Sequence, residues 1–182
     1  MPALTLKTER LILRLWKQED LSEFAKMNAD KRVMEFFPSA LSEEESNSLA
    51  DKIQKELKEK DYGLWAVEVK GGASFIGFVG LHYQDFTAPF TPCIEIGWRL
   101  TLEHQGKGHA FEAASKVIEY AFKELKLEEL VSFTTIKNLR SIKLMKKLGM
   151  THDPQDDFDH SKLPEGHPLR PHVLFRLKNQ EI

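Results

Sequence analysis

Apolar and polar residues along the chain switch repeatedly between a period of two and a period near 3.6, and each switch marks an element. From Leu4 to Leu15 the alternation is imperfect, with Leu11, Leu13 and Leu15 on one side, which predicts a first strand. Leu21, Phe24, Ala25 and Asn28 then recur at helical spacing within Gln18 to Ala29. Ser42 followed by Glu45 is a capping-box pattern, and Leu49, Ile53 and Leu57 repeat at four behind it, predicting a second helix. Leu64 to Val69 alternates, Gly71-Gly72 supplies a turn, and Phe75 to Tyr83 reads as the returning strand of a hairpin. Pro89 and Pro92 mark a loop before a further strand, Ile94 to Leu100. A long helix follows, its wide apolar stripe made by Ala110, Ala113, Ala114, Val117, Ile118, Ala121, Phe122 and Leu125. Leu130 to Ile136 predicts a strand, Asn138 to Leu148 a short helix stopped by Gly149, Asp153 to Pro171 a loop, and Val173 to Leu177 a last strand. The order predicts an α/β (α+β) domain built on one sheet.

Composition narrows the class. A length of 182 residues suits one domain spanning 1–182. Lys and Arg (26) nearly balance Asp and Glu (28), which argues against a dedicated nucleic-acid binder. No apolar run is long enough for a bilayer, and the first residues lack the continuous apolar core of a signal peptide. The single cysteine, Cys93, excludes an internal disulfide and a cysteine-based metal site, and reads as packing rather than as a nucleophile. A cytoplasmic protein with no membrane contact is expected.

The stretch that points to chemistry is Ile94 to Leu100 followed by Gln105-Gly106-Lys107-Gly108-His109-Ala110. It reads as strand, glycine-containing turn, helix. Two glycines permit backbone conformations that a Cβ resists and let a ligand approach the amides. The helix start offers unpaired N–H groups and a partial positive charge, a ready phosphate site. A plain tight turn is the simpler alternative. A P-loop is excluded, because no Gly-Lys-Ser/Thr follows the turn, and a Rossmann site would need one more glycine.

Gln-x-x-Gly-x-Ala entered from an apolar strand and leading into an alanine-rich helix resembles the acetyl-CoA-binding motif of the GNAT acyltransferase superfamily. Asn138, Ser141, Leu144, Met145, Lys147, Gly149 and Met150 fall in the spacing of its next motif. The opening Thr8-Glu9-Arg10-Leu11-Ile12-Leu13-Arg14 and the Glu95 to Arg99 strand are similar to the RimJ/RimL-like branch. The resemblance implies a mixed, mostly antiparallel sheet flanked by helices and splayed between two middle strands. It implies a coenzyme pyrophosphate on Gly106, Gly108, His109 and Ala110, with Gln105 and Lys107 in the same loop. The pantetheine arm would lie beside Trp98, Arg99 and Leu100, with Asn138 hydrogen-bonded to it. Asn138 is equally suited to cap its helix. Where many members carry a tyrosine that protonates the departing thiolate, this chain has Met145, leaving Ser141 as the nearest hydroxyl. Ser141 is also small enough to serve close packing alone.

The implied activity is transfer of acetyl from acetyl-CoA to a primary amine, either a protein N-terminus or a small molecule, by direct attack. A non-catalytic acyl-CoA-binding or sensing module is the alternative, and either is expected as a monomer or homodimer. An α-amine near pKa ~7.8 costs about 1 kcal/mol to deprotonate at pH 7, and a lysine-type amine near ~10.4 about 4.6. Glu95 is the candidate base if it faces the cleft, where apolar surroundings would raise its pKa; facing outward it is an ordinary strand carboxylate. His82 and the histidines of the tail are the other candidate bases, and His82 reads more readily as structural. The later histidines are spaced by seven and five and match no compact metal motif, so no metal is expected. The segment Asp153 to Asp159, with four aspartates, reads either as a solvated loop or as an acidic lining for a cationic acceptor. Lys137 to Lys147 holds five basic residues, suited to coenzyme phosphates or to the C-terminal dipole of its own helix.

Overall fold

A computed structural model of the chain describes residues 5–60 and 62–180. Among them, one sheet runs in the order β1-β2-β3-β4-β5-β6-β9-β7, with β8 beside β9. The strands are β1 (Thr5–Lys7), β2 (Leu11–Arg14), β3 (Leu64–Val69), β4 (Gly77–Gln84), β5 (Cys93–Leu100), β6 (Glu129–Thr135), β7 (Thr151–His152), β8 (Phe158–Asp159) and β9 (Pro171–Lys178). The helices are α1 (Asp20–Ala29), α2 (Glu43–Glu59), α3 (His109–Lys123) and α4 (Leu139–Lys147). Every strand pairing is antiparallel except β5 with β6. The mixed, mostly antiparallel sheet flanked by helices is the one expected.

The first expected strand is two. Thr8 donates its amide to the Leu11 carbonyl (3.0 Å), and its hydroxyl accepts the Leu11 amide (2.9 Å). The chain therefore turns, and Leu6 faces Leu13 across a hairpin. Leu4 lies outside the described residues. The capping box of α2 forms as its spacing requires: Glu45 donates its amide to Ser42 Oγ (3.2 Å), and Ser42 donates its own to Glu45 Oε2 (2.8 Å). Helix α1 begins at Asp20 rather than Gln18, because the Asp20 carboxylate accepts the Lys17 amide (2.7 Å) and a guanidinium from β2.

That guanidinium belongs to Arg14, which is 7 % exposed and donates to both Asp20 oxygens at 2.8 and 3.0 Å. Its Nε reaches Glu68 on β3 (2.7 Å), and it also donates to the Ser74 carbonyl. One side chain thus ties β2, β3 and the start of α1. The two faces of the sheet are covered differently. Trp65, Val79 and Trp98 sit side by side in register, and Trp65 meets Tyr120 of α3 at 5.8 Å. Ala66, Phe78 and Arg99 share the opposite face, where Phe24 of α1 meets Phe78 at 6.1 Å.

The segment from Asp153 to Pro171 is more ordered than a loop. A short 3-10 turn (Pro154–Asp156) and β8 pin it to β9. Phe158, His160 and His172 join Phe86, Phe90 and Phe133 in a ring cluster, with Phe86 and His160 stacked at 4.5 Å. Among the described residues no helix is long and apolar enough to cross a membrane.

Asp20→Ala leaves a buried guanidinium without its principal partner and should lower the unfolding free energy by about 3–5 kcal/mol. Breaking the exposed Glu23–Lys26 pair by Glu23→Ala should cost less than about 1 kcal/mol. Urea unfolding of the two variants side by side gives the comparison; similar losses would show that the Arg14 cluster is no anchor.

Candidate active site

Strand β5 is paired with β4 along its whole length, from Gln84↔Cys93 to Gly77↔Leu100. On its other edge it meets β6 at one register position, Glu95↔Val131. Beyond that point β6 continues along β9 while β5 does not follow it. The Arg99 carbonyl points at β4, since a Cβ on Gly77 would lie 2.1 Å from it. By strand alternation the carbonyls of Trp98 and Leu100 then face the gap. Gln105 Nε2 donates to the Leu100 carbonyl (3.0 Å), which partly closes that end. Unpaired strand edge of this kind is what an extended, peptide-like ligand would use.

The loop after β5 opens α3. Gly106 and Gly108 have φ of 71° and 83°, which a residue with a Cβ adopts only under strain. Gly108 is the N-cap and offers no side chain, so the first-turn amides of α3 carry no capping acceptor from it. Lys107 is exposed, and His109 is buried with its Nδ1 unpartnered. Burial, together with the charges of Arg10, His104 and Lys107 and against that of Glu112, lowers the His109 pKa.

At α4, Asn138 is the helix cap: its Oδ1 accepts the Ser141 amide (3.2 Å). Its Nδ2 donates to Thr134 Oγ1 (3.1 Å), leaving one amide hydrogen uncommitted by these contacts. Ser141 is half-buried in the first turn of α4, whereas Met145 is buried among the core side chains. Arg140 joins α4 to the glycine loop by donating to Gln105 Oε1 (3.0 Å), and it also pairs with Glu35 (3.3 Å).

Glu95 stands where the gap begins, on the sheet face shared with Arg99 and covered by α1 and α2. Gln84 donates to its Oε2 (2.5 Å). Burial raises its pKa to about 7, against the opposing pull of that hydrogen bond and of the His82 and Lys162 charges. His82 is its register partner on β4 and bonds through Nδ1 to Glu56 of α2 (2.6 Å). That bond raises the His82 pKa. The structure thus brings together Glu95, Gln84, His82, Glu56 and the tail residue Lys162. Each of the four aspartates has a local partner. Asp153 accepts the Gln155 amide, Asp156 pairs with Arg176, Asp157 with His152 and Asp159 with Arg170.

The family model for the acetyltransferase (GNAT) domain matches residues 10–151. The chain belongs to the GNAT acetyltransferase family. An uncharacterized N-acetyltransferase of Bacillus subtilis, YnaD, is 28 % identical over 177 residues, covering 97 % of this chain and 98 % of the relative. A GNAT-family acetyltransferase from Bacillus anthracis superposes with a TM-score of 0.78 at 24 % identity, over 96 % of this chain and 98 % of its own. A ribosomal-protein-S5-alanine acetyltransferase from Vibrio fischeri shares the fold with a TM-score of 0.75 at 21 % identity, covering 97 % of each chain. The protein is an acyltransferase of the N-acetyltransferase class.

In this GNAT acetyltransferase the glycine loop is held by residues that lie far from it in sequence. Glu112, one turn into α3, accepts the Thr8 hydroxyl (2.5 Å), the Arg10 amide (2.8 Å) and Arg10 Nε (2.6 Å). Arg10 Nη1 also donates to the Lys107 carbonyl (3.1 Å). The hairpin turn between β1 and β2 is thereby clamped to the mouth of α3. Burial works to raise the Glu112 pKa, but the hydrogen bonds from Thr8 and Arg10 outweigh it and the group is shifted down. Periodicity could not place Arg10 at this loop; the only sequence signal was the Thr8-to-Arg14 motif itself. Glu112→Ala should speed hydrogen exchange at the Arg10 amide, which donates to it, and at the Leu11 amide held by Thr8, by about tenfold or more, leaving β3 and β4 protected. Unchanged exchange in this turn would show that Glu112 does not clamp it.

Proposed function

We propose that the protein transfers an acetyl group from acetyl-CoA to a primary amine by direct attack within a ternary complex. The observation that carries this reading is the single β5–β6 register pair, which leaves an open strand edge between a glycine-bounded helix mouth and a desolvated carboxylate. Acetyl-CoA supplies an activated thioester. The amides of Gly106, Gly108, His109 and Ala110 take its pyrophosphate, with Lys107 and Arg10 as nearby cations. The edge at Trp98, Arg99 and Leu100 receives the arm, Gln105 braces that edge, and the uncommitted hydrogen of the Asn138 amide bonds to the arm. Glu95 accepts the proton that the amine loses as its nitrogen bonds to the acetyl carbon. The C–S bond breaks, and Ser141 donates a hydrogen bond to the departing thiolate in place of the missing tyrosine. No residue is acetylated on the way.

A base near pKa 7 suits an α-amine, whose deprotonation at neutral pH costs about 1 kcal/mol, better than a lysine-type amine. The fold does not choose the acceptor, because the S5-alanine acetyltransferase shares it at an identity that speaks only of architecture. The reading places the enzyme in the cytoplasm, in keeping with a near-neutral chain that has one cysteine.

Acetyl-CoA should raise the melting temperature, and an amine panel with thiol detection should release CoA above background. Binding without turnover would support a sensing module instead, and no thermal shift would sink both. Gly108→Val should weaken CoA binding at least about tenfold, by straining the φ of 83° and crowding Arg10.

Glu95→Gln has two readouts. The limb of the kcat/KM profile with an apparent pKa near 7 should vanish, with a rate loss of about 10²-fold or more above pH 7. A carboxyl raised from 4.5 to about 7 keeps its proton in the folded protein through a window in which the unfolded chain has lost it. Stability therefore falls as pH rises through that window. Glu95→Gln should be more stable than the parent at pH 8, by up to about 3 kcal/mol, and nearly equal to it at pH 4. A pH profile and stability like the parent's would remove Glu95 as the base.

A further inference from the structure

The half-buried Arg99 has no acidic partner among the described residues. Its Nη1 donates to Asn28 Oδ1 (2.7 Å), and Asn28, fully buried, donates in turn to Ser46 Oγ (2.9 Å). Phe37 lies 4.2 Å and Phe78 5.3 Å from the guanidinium carbon. Its Nε is buried and has no hydrogen-bond acceptor among the described residues. Among the described residues no charge contributes to its ionisation, and burial alone lowers its pKa to about 10. A desolvated cation that ends a chain of neutral hydrogen bonds is costly unless an anion completes it.

Its position says where that anion would sit. Glu95, Gly97 and Arg99 alternate onto one face of β5. A Cβ built on Gly97 would meet only Glu95 Oε1, at 3.9 Å. The floor between the carboxylate and the guanidinium is therefore open, and the strand rise sets the two Cα atoms roughly 13 Å apart. Of the charges that act on Glu95, Lys162 is basic and His82 is paired with Glu56, while the tail aspartates contact Arg176, His152, Arg170 and a backbone amide.

We propose that Arg99 anchors a carboxylate carried by the acceptor, so that the acceptor is an amine of the amino-acid type, with its nitrogen toward Glu95 and its carboxylate toward Arg99. This rests on the acetyl-transfer reading above and narrows it. Guanidinium suits the task because its planar fork matches a carboxylate and stacks on aromatic rings, here those of Phe37 and Phe78. A polyamine would bring a second cation toward Arg99 where an anion is needed.

The test compares each of several α- and ω-amino acids with its own carboxamide, and both with spermidine, under saturating acetyl-CoA. The wild-type enzyme should favour the best free acid over its amide by about tenfold or more in kcat/KM, mostly through KM. Arg99→Met should bring that ratio near one and Arg99→Lys should keep part of it, with the Kd for acetyl-CoA measured alongside because the backbone of Arg99 flanks the edge that receives the arm. Because the ratio is internal to one enzyme sample, a partly unfolded variant does not distort it.

Three results would overturn the proposal while leaving acetyl transfer standing. One is a wild-type preference for spermidine or for the amides. Another is an acid-to-amide ratio that survives Arg99→Met, which would make the residue a brace between β5 and α1. The third is a loss of acetyl-CoA affinity with no change in the ratio, which would assign the anion to a coenzyme phosphate. If no amine is acetylated, acetyl transfer fails first and this inference with it.

Discussion

Strands β5 and β6 touch in register at one position, Glu95 opposite Val131, and the rest of the molecule is arranged around that constraint. Each strand is fully engaged on its far edge, β5 by β4 and β6 by β9, so neither collapses when they part. The parting leaves backbone polar groups of β5 without a strand partner inside an otherwise continuous sheet. Buried backbone groups of this kind are normally satisfied, and a bound ligand is one way to satisfy them. The same point sets the environment of Glu95, which lies where pairing ends.

Holding such a gap open requires rigid surroundings, and they come from charged side chains that bond across segments distant in sequence. Arg14 ties β2 and β3 to the start of α1, and Glu112 ties the first hairpin turn to the mouth of α3. Arg140 ties α4 to Gln105. A buried charge such as Arg14 contributes little net stability against an apolar replacement, but it sets position sharply, because breaking its pair leaves a partner unsatisfied. The glycine loop, which needs backbone conformations that favour no fixed side chain, is thus ordered by contacts from outside itself.

Two ionisable groups on one face of β5 are held away from their ordinary behaviour, and the physical cause is shared. Burial raises the Glu95 carboxyl and lowers the Arg99 guanidinium, each toward its uncharged form. Both shifts destabilise the folded state, and such groups cluster where a protein acts on a ligand. The aspartate-rich tail is the opposite case. It looks like an acidic mouth in the sequence, yet three of its aspartates contact His152, Arg170 and Arg176 and the fourth caps its own turn, while its aromatic residues dock the segment on Phe86 and Phe133.

What the sequence determined alone is whatever closes within a turn or two of chain. The α2 capping box, the apolar stripe of α3, the β3–β4 hairpin, the glycine loop and the Asn138 cap all depend on residues three or four apart, or on a two-residue period. Local energetics settle them wherever they stand. The first hairpin escaped because a threonine hydroxyl, rather than a glycine or proline, makes its turn. Which way Glu95 faces, that Arg10 reaches the glycine loop, and that Arg99 is left without a carboxylate were decided only by the tertiary structure. Their bonds span 102 residues from Arg10 to Glu112 and 71 from Arg99 to Asn28. Charge and desolvation depend on what the folded chain places overhead, and no local period encodes that.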